Sequence, residues 1–255
     1  MNIEKIIKLK NNKYKIVFDD HEITTYDNVI LDNNLLYKKN IDKENYDKII
    51  KDTNYYDIYN KCVKSILKKR KSEKEIKEYL DKFNIDNKDK IISKLKEINL
   101  INDRDFTRAY INDKIYLSKC GINKIKNDLI NLGIDIIIIN EELSNIDKSI
   151  FQDLLEKQVL KKIKNNTKYS NYQLKQKILN EMINLGYEKE DILSIIDVNI
   201  ISDNEILEKE FNKIYNKLKT KYSGYELNQK IKQKLTIKGF KVDDINKKIE
   251  EITYS

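Results

Sequence analysis

Residues 168–178 read KYSNYQLKQKI and residues 221–231 read KYSGYELNQKI, a near-duplication at a spacing of 53. The offset persists beyond it, pairing Gly186 with Gly239, Asp191 with Asp244 and Ile192 with Ile245. A fixed period of this size marks an array of small supersecondary units, each too small to bury a core alone. The chain has 255 residues, no proline and five glycines, so long helices meet few breakers.

From about residue 55 a three-part pattern recurs: helix A, a polar or glycine break, helix B, a short loop carrying one apolar residue, and helix C. In the first unit Ser72 is the expected N-cap of helix B, with Glu75 at the capping-box position and Ile76, Leu80 and Phe83 as its buried stripe. In the second, Ile125 and Leu129 repeat Ile76 and Leu80, and Gly133-Ile134-Asp135 replaces Asn84-Ile85-Asp86. The later loops are Gly186-Tyr187-Glu188 and Gly239-Phe240-Lys241. Glycine, or Asn84 as next best, fits the positive φ after a helix end, and the apolar residue plugs back between helices B and C.

Helix B is expected to be a turn longer in the last two units, because Ser170 and Ser223 precede the apolar loop residue by 17 positions, against 13 for Ser72. The run Ile136–Ile139 suits a strand by propensity, but its repeat position makes it helix C, capped by Asp135. The first 30 residues differ: IEKIIKLK, KYKIVFD and EITTY predict a small antiparallel meander, with helices near 27–35 and at 42–52 behind Asp42. The expected fold is mainly α: tandem three-helix repeats forming an elongated array after a small β segment. The expected divisions are 1–54, 55–102, 103–146, 147–200 and 201–255.

Much familiar chemistry is missing. The glycines permit no dinucleotide or phosphate-loop motif. One histidine and two distant cysteines argue against a metal site, and no cofactor or enzyme activity is expected. Asp19-Asp20-His21 reads as a turn, Asp103 beside Asp105 as a helix cap, and Cys62 as a buried apolar residue. No signal peptide or membrane span is visible, so a cytoplasmic protein without a membrane partner is expected.

The charge is informative. The formal net charge is +8, and it is blocked along the chain. Residues 212–241 hold nine lysines and one acid, residues 160–180 six lysines and no acid, and residues 127–156 seven acids and one lysine. Lysines recur before helix B: Lys68, Lys69, Arg70 and Lys71; then Lys119, with Lys124 and Lys126 on the helix; then Lys161, Lys162, Lys164 and Lys168; then Lys219 and Lys221. A helix N-terminus flanked by cations is a seat for phosphate, and Tyr169 and Tyr222 are the expected base-stacking residues, with Tyr172 and Tyr225 in the core. The competing reading of these lysines is a solvated face.

Three motifs follow one another in order: Arg70, Ser72, Glu75, Ile76 and Leu80 at a helix start, then Asn102, Asp103, Phe106, Ala109 and Tyr110, then Gly121, Ile125, Leu129, Gly133 and Ile134. Together they resemble the RecX family of RecA regulators. Asn84 departs from the usual glycine, and the strand-rich N-terminus resembles the extension on longer members from low-GC Gram-positive bacteria. The resemblance implies a curved molecule of three-helix units and a non-enzymatic monomer. It would bind in the groove of the RecA filament on single-stranded DNA, usually lowering its ATPase and strand exchange, with the basic face along the DNA and the acidic stretch 127–156 left for basic parts of the protein partner. The alternative is a stand-alone nucleic-acid-binding helical repeat, for example on duplex DNA.

Overall fold

The structure, a computed structural model, describes residues 1–83, 85, 88–200 and 203–253. The expected cap at Asn84 lies outside them. The chain divides into two compact parts: residues 1–106 with 132–134, and residues 107–131 with those from 135 onward.

The first part opens with the expected meander, β1 (Ile3–Lys8), β2 (Lys13–Phe18) and β3 (Glu22–Tyr26), in sheet order β1-β2-β3 and antiparallel throughout. Asn11 and Asn12 turn the first hairpin at φ 59° and 54°, a conformation asparagine tolerates better than most residues. After α1 (Asp27–Asp32), one helix of 26 residues, α2 (Lys43–Lys68), replaces the two helices expected on either side of residue 54. No glycine or proline interrupts it, and Asp42 caps it by accepting from Asn45 N–H. Both ends have a core to bury: Ile49 and Tyr56 join the sheet cluster with Ile16, Phe18 and Val29, and Ile58, Cys62 and Ile66 join Ile76, Leu80, Ile91 and Leu95.

Helices α3 (Glu73–Leu80) and α4 (Lys88–Glu97) complete this part. The Ser72–Glu75 capping box forms in full. Ser72, which is wholly buried, also donates through Oγ to the Leu132 carbonyl at 2.8 Å. Ser72→Ala should therefore lower stability by about 1–2 kcal/mol in urea unfolding, from a lost cap and an orphaned carbonyl. Ser223→Ala should cost almost nothing, because Ser223 is exposed and its side chain caps nothing.

The helices that follow are α5 (Asp103–Tyr116), α6 (Ile122–Asn131), α7 (Ile136–Ser144), α8 (Lys148–Lys164), α9 (Asn171–Asn184), α10 (Lys189–Asn199), α11 (Asn204–Leu218), α12 (Gly224–Ile237) and α13 (Val242–Thr253). The isoleucine run is helical, with Asp135 accepting from Ile137 N–H. Helices α9 and α12 have 14 residues each, against 8 in α3 and 10 in α6. Gly133, Gly186 and Gly239 have φ of 80°, 88° and 79°, and the plugs Ile134, Tyr187 and Phe240 are buried.

The repeat exists because these glycine loops make the same joint three times. Each presses against the start of an earlier helix B. A Cβ on Gly133 would fall 2.6 Å from Lys74 Cδ, one on Gly186 2.3 Å from Lys124 N, and one on Gly239 2.7 Å from Ser170 Oγ. Carbonyls beside the glycines accept from the same helix starts: Leu132 from Ser72 Oγ, Leu185 from Gly121 N–H, and Ile237 from the Gln173 amide. At Gly186 a side chain would hold the two backbones apart, while at Gly133 and Gly239 it would collide with side chains of the earlier helix.

Two sequence expectations change here. Asp103 does not cap its own helix; Asn102 does, accepting from Arg104 and Asp105 N–H. Asp103 instead accepts from Glu73 N–H at 2.9 Å, across 30 residues, and Asp203 repeats this with Asn171 N–H at 2.8 Å. Burial pushes the Asp103 carboxyl up from its ordinary range. The other change concerns the tyrosines: Tyr172 and Tyr225 are 66% and 80% exposed rather than core. Each sits at the first turn of its helix B, while Leu174 and Leu227 two positions on take the buried stripe.

Candidate nucleic-acid interface

Helix-B starts are not open phosphate seats at the joints. Glu73 and Glu75 N–H in α3, Asn123 N–H in α6, and Asn171 and Gln173 N–H in α9 already bind protein oxygens. Cationic chemistry gathers instead at the opposite ends of the A helices.

Between the last turn of α8 and the face of α9 lies a cleft of about 520 Å³. Leu174 and Ile178 contribute its apolar wall, and Lys119, Lys161, Lys162, Lys168 and Lys177 surround it with one acid, Glu181. Glu181 pairs with Lys162 at 2.6 Å. Five lysines against one glutamate leave a local net charge of +4. A concave site of one sign, walled partly by low-dielectric side chains, focuses its field on an entering anion.

Each wall has a local cause. Lys161, Lys162 and Lys164 occupy the last turn of α8, where the helix dipole favours cations. Lys119 sits on a turn with φ 54°, and its carbonyl accepts from Tyr187 Oη at 2.9 Å and from Gln158 at 3.3 Å. Asn166 shapes the α8–α9 loop by accepting from Tyr169 N–H and donating to the Tyr169 carbonyl. Tyr169 is half-buried against Leu155, Val159 and Leu174. Lys177 Nζ lies 3.7 Å and Lys168 Nζ 5.0 Å from its ring centroid. Hydrogen bonds from Lys177 and Lys168 hold its phenol below the ordinary value.

Of the lysines expected at this surface, the cleft brings together Lys119, Lys161, Lys162 and Lys168, with Tyr169. Lys164 is exposed outside the lining, Lys126 is half-buried on α6, and Lys124 pairs with Asp128 at 3.4 Å. Lys68, Lys69 and Arg70 are exposed and Lys71 half-buried, all in the first part of the chain. In the last repeat Lys219 lies 5.3 Å from the Tyr215 ring, Lys221 is exposed, and Tyr222 is half-buried with Lys230 5.8 Å from its ring. A smaller cleft of about 320 Å³ gathers Lys213, Lys217, Lys234 and Lys238 around Glu210, which ion-pairs with Lys238.

Lys177 was the residue missed. The signal was present, since lysine stands eight positions after Tyr169 and again after Tyr222. Four of the seven acids in the acidic stretch have roles within the fold, while Glu141, Asp153 and Glu156 are exposed. Asp128 accepts from Tyr110 and pairs with Lys114 and Lys124, buried Glu142 pairs with Arg108, and Asp135 and Asp147 cap helices. Cys62 is buried as expected, its thiol pushed up to about 11 by burial. Among the described residues no cluster of ligating side chains could hold a metal ion, and no helix is long and apolar enough to cross a membrane.

Fold and cleft together define a mainly helical protein, jointed through glycine loops and carrying a lysine-lined groove. No protein-family model matches the chain. It is 31% identical over 233 residues to the regulatory protein RecX of Lactococcus lactis subsp. lactis strain IL1403, covering 84% of this chain and 85% of that protein. It is 34% identical over 193 residues to the regulatory protein RecX of Streptococcus agalactiae serotype III, covering 72% and 73%. A crystal structure of regulatory protein RecX superposes with a TM-score of 0.62 at 20% identity, over 77% of this chain and 98% of that one. The RecX structure from Lactobacillus salivarius gives 0.50 at 23% identity, over 56% and 94%. The chain belongs to the RecX family.

Proposed function

We propose that this RecX-family protein regulates the RecA recombinase, binding in the groove of the RecA filament on single-stranded DNA and lowering its ATP hydrolysis and strand exchange. It acts as a non-enzymatic cytoplasmic monomer built from four three-helix units, at 55–102, 103–146, 147–200 and 201–255, behind an N-terminal extension. The observation that carries the DNA contact is the cleft of Lys119, Lys161, Lys162, Lys168 and Lys177. Lysines spaced along a concave surface neutralise successive phosphates and release their counterions. Lys164, Lys219 and Lys221 extend the contact beyond the cleft, and Lys68, Lys69, Arg70 and Lys71 offer a separate contact in the first part of the chain.

The partner separates this reading from a stand-alone nucleic-acid binder. A filament regulator changes RecA ATP hydrolysis at protein levels too low to coat the DNA. A stand-alone binder alters it only when it covers the strand.

A further inference from the structure

We propose that Tyr169 is a lysine-positioning residue, holding Lys168 and Lys177 as paired ammonium groups that grip the sugar–phosphate backbone, and that it stacks on no base. The inference rests on the DNA-contact reading above and specifies what the cleft recognises.

Stacking needs a free aromatic face, and this ring has cations at it. Lys177 Nζ stands 3.7 Å from the ring centroid and Lys168 Nζ 5.0 Å. The ring's negative face and phenol oxygen attract both ammonium groups and offset their mutual repulsion. A base could reach that face only by expelling Lys177, the cation nearest to it. The ring is also fixed from behind, packed against the core cluster of Leu155, Val159 and Leu174, while Asn166 holds its backbone N–H and carbonyl. Lysines already ordered on a fixed ring lose less side-chain freedom when a phosphate arrives. The arrangement recurs in the last repeat, where Lys230 Nζ lies 5.8 Å from the half-buried Tyr222 ring. Backbone grip without base contact suits a protein that must bind strands of any sequence.

The test compares two labelled strands of equal length, oligothymidylate and an abasic oligomer with the same phosphodiester backbone. The full chain is titrated with each across a salt series, beside Tyr169→Phe and Tyr169→Leu. Phenylalanine keeps the ring and its packing, so this variant guards against loss of fold. Positioning predicts that each affected variant loses affinity by the same factor on the two strands, with Tyr169→Leu, which removes both ring and phenol oxygen, losing more than Tyr169→Phe, which removes only the oxygen. It also predicts a log–log salt slope shallower by roughly 0.7 to 1.4, as one or two phosphates go without a lysine partner. A loss confined to oligothymidylate would overturn the assignment, as would a parental slope in both variants. If the parent protein bound neither strand, the DNA-contact reading would fall, and this inference with it.

Discussion

Gly186→Val should lower the melting temperature by about 10 °C, a large effect for a single substitution. A valine Cβ would lie 2.3 Å from Lys124 N and 2.5 Å from Lys124 Cβ, so one of two backbones must move. Forced overpacking of this kind costs about 1–3 kcal/mol. The φ of 88° adds to it, because the left-handed region costs a residue bearing Cβ about 1–2 kcal/mol, and a β-branched one more. A domain of 150–250 residues loses about 2–4 °C per kcal/mol, which sets the expected shift. Gly224→Ala is the internal control. Its φ is 51°, but nothing lies within 4 Å of the added Cβ, so only the backbone cost of about 1–2 kcal/mol applies. Equal losses in the two variants would mean that the joint between Gly186 and the start of α6 contributes nothing.

The second large effect is on DNA binding. Replacing Lys119, Lys161, Lys168 and Lys177 together with glutamine should make the salt dependence of single-strand binding shallower by nearly 3, at about 0.7 per phosphate contact. Extrapolated from a 1 M reference, that slope corresponds to roughly 10²–10³-fold weaker binding at 0.1 M salt. The fold should survive. Lys119, Lys161 and Lys168 are exposed, and Lys162, which pairs with Glu181, is left in place. Circular dichroism checks the fold, and fluorescence anisotropy reads the slope. An unchanged slope would leave these lysines as a solvated face complementing the α8 dipole.

Most of what the sequence revealed correctly was local. The Ser72–Glu75 box and the glycines at Gly133, Gly186 and Gly239 depend on neighbours within a few positions, whereas the helical Ile136–Ile139 run, strand-like by propensity, follows from its place in the repeat. The misreadings were of longer range. Asp103 looked like the cap of its own helix, but its carboxylate serves Glu73, which only the folded chain brings near. Tyr172 and Tyr225 looked apolar enough for the core, but the buried stripe passes to Leu174 and Leu227, leaving the rings exposed. The junction lysines form only a linear series in the sequence. Folding selects four of them, adds Lys177 from the next helix, and spends Lys124 on Asp128. The repeat pattern begins near residue 55 and suggests a break there, although nothing in the backbone chemistry of α2 interrupts it.

The measurement that bears most directly on the central claim is RecA ATP hydrolysis on single-stranded DNA, titrated with this protein and with the four-glutamine variant. The account predicts that the parent lowers the rate at levels well below those that cover the strand, and that the variant, folded but without its cleft cations, loses most of that effect. A RecA rate unmoved until the parent coats the DNA, or lowered equally by parent and variant, would contradict it.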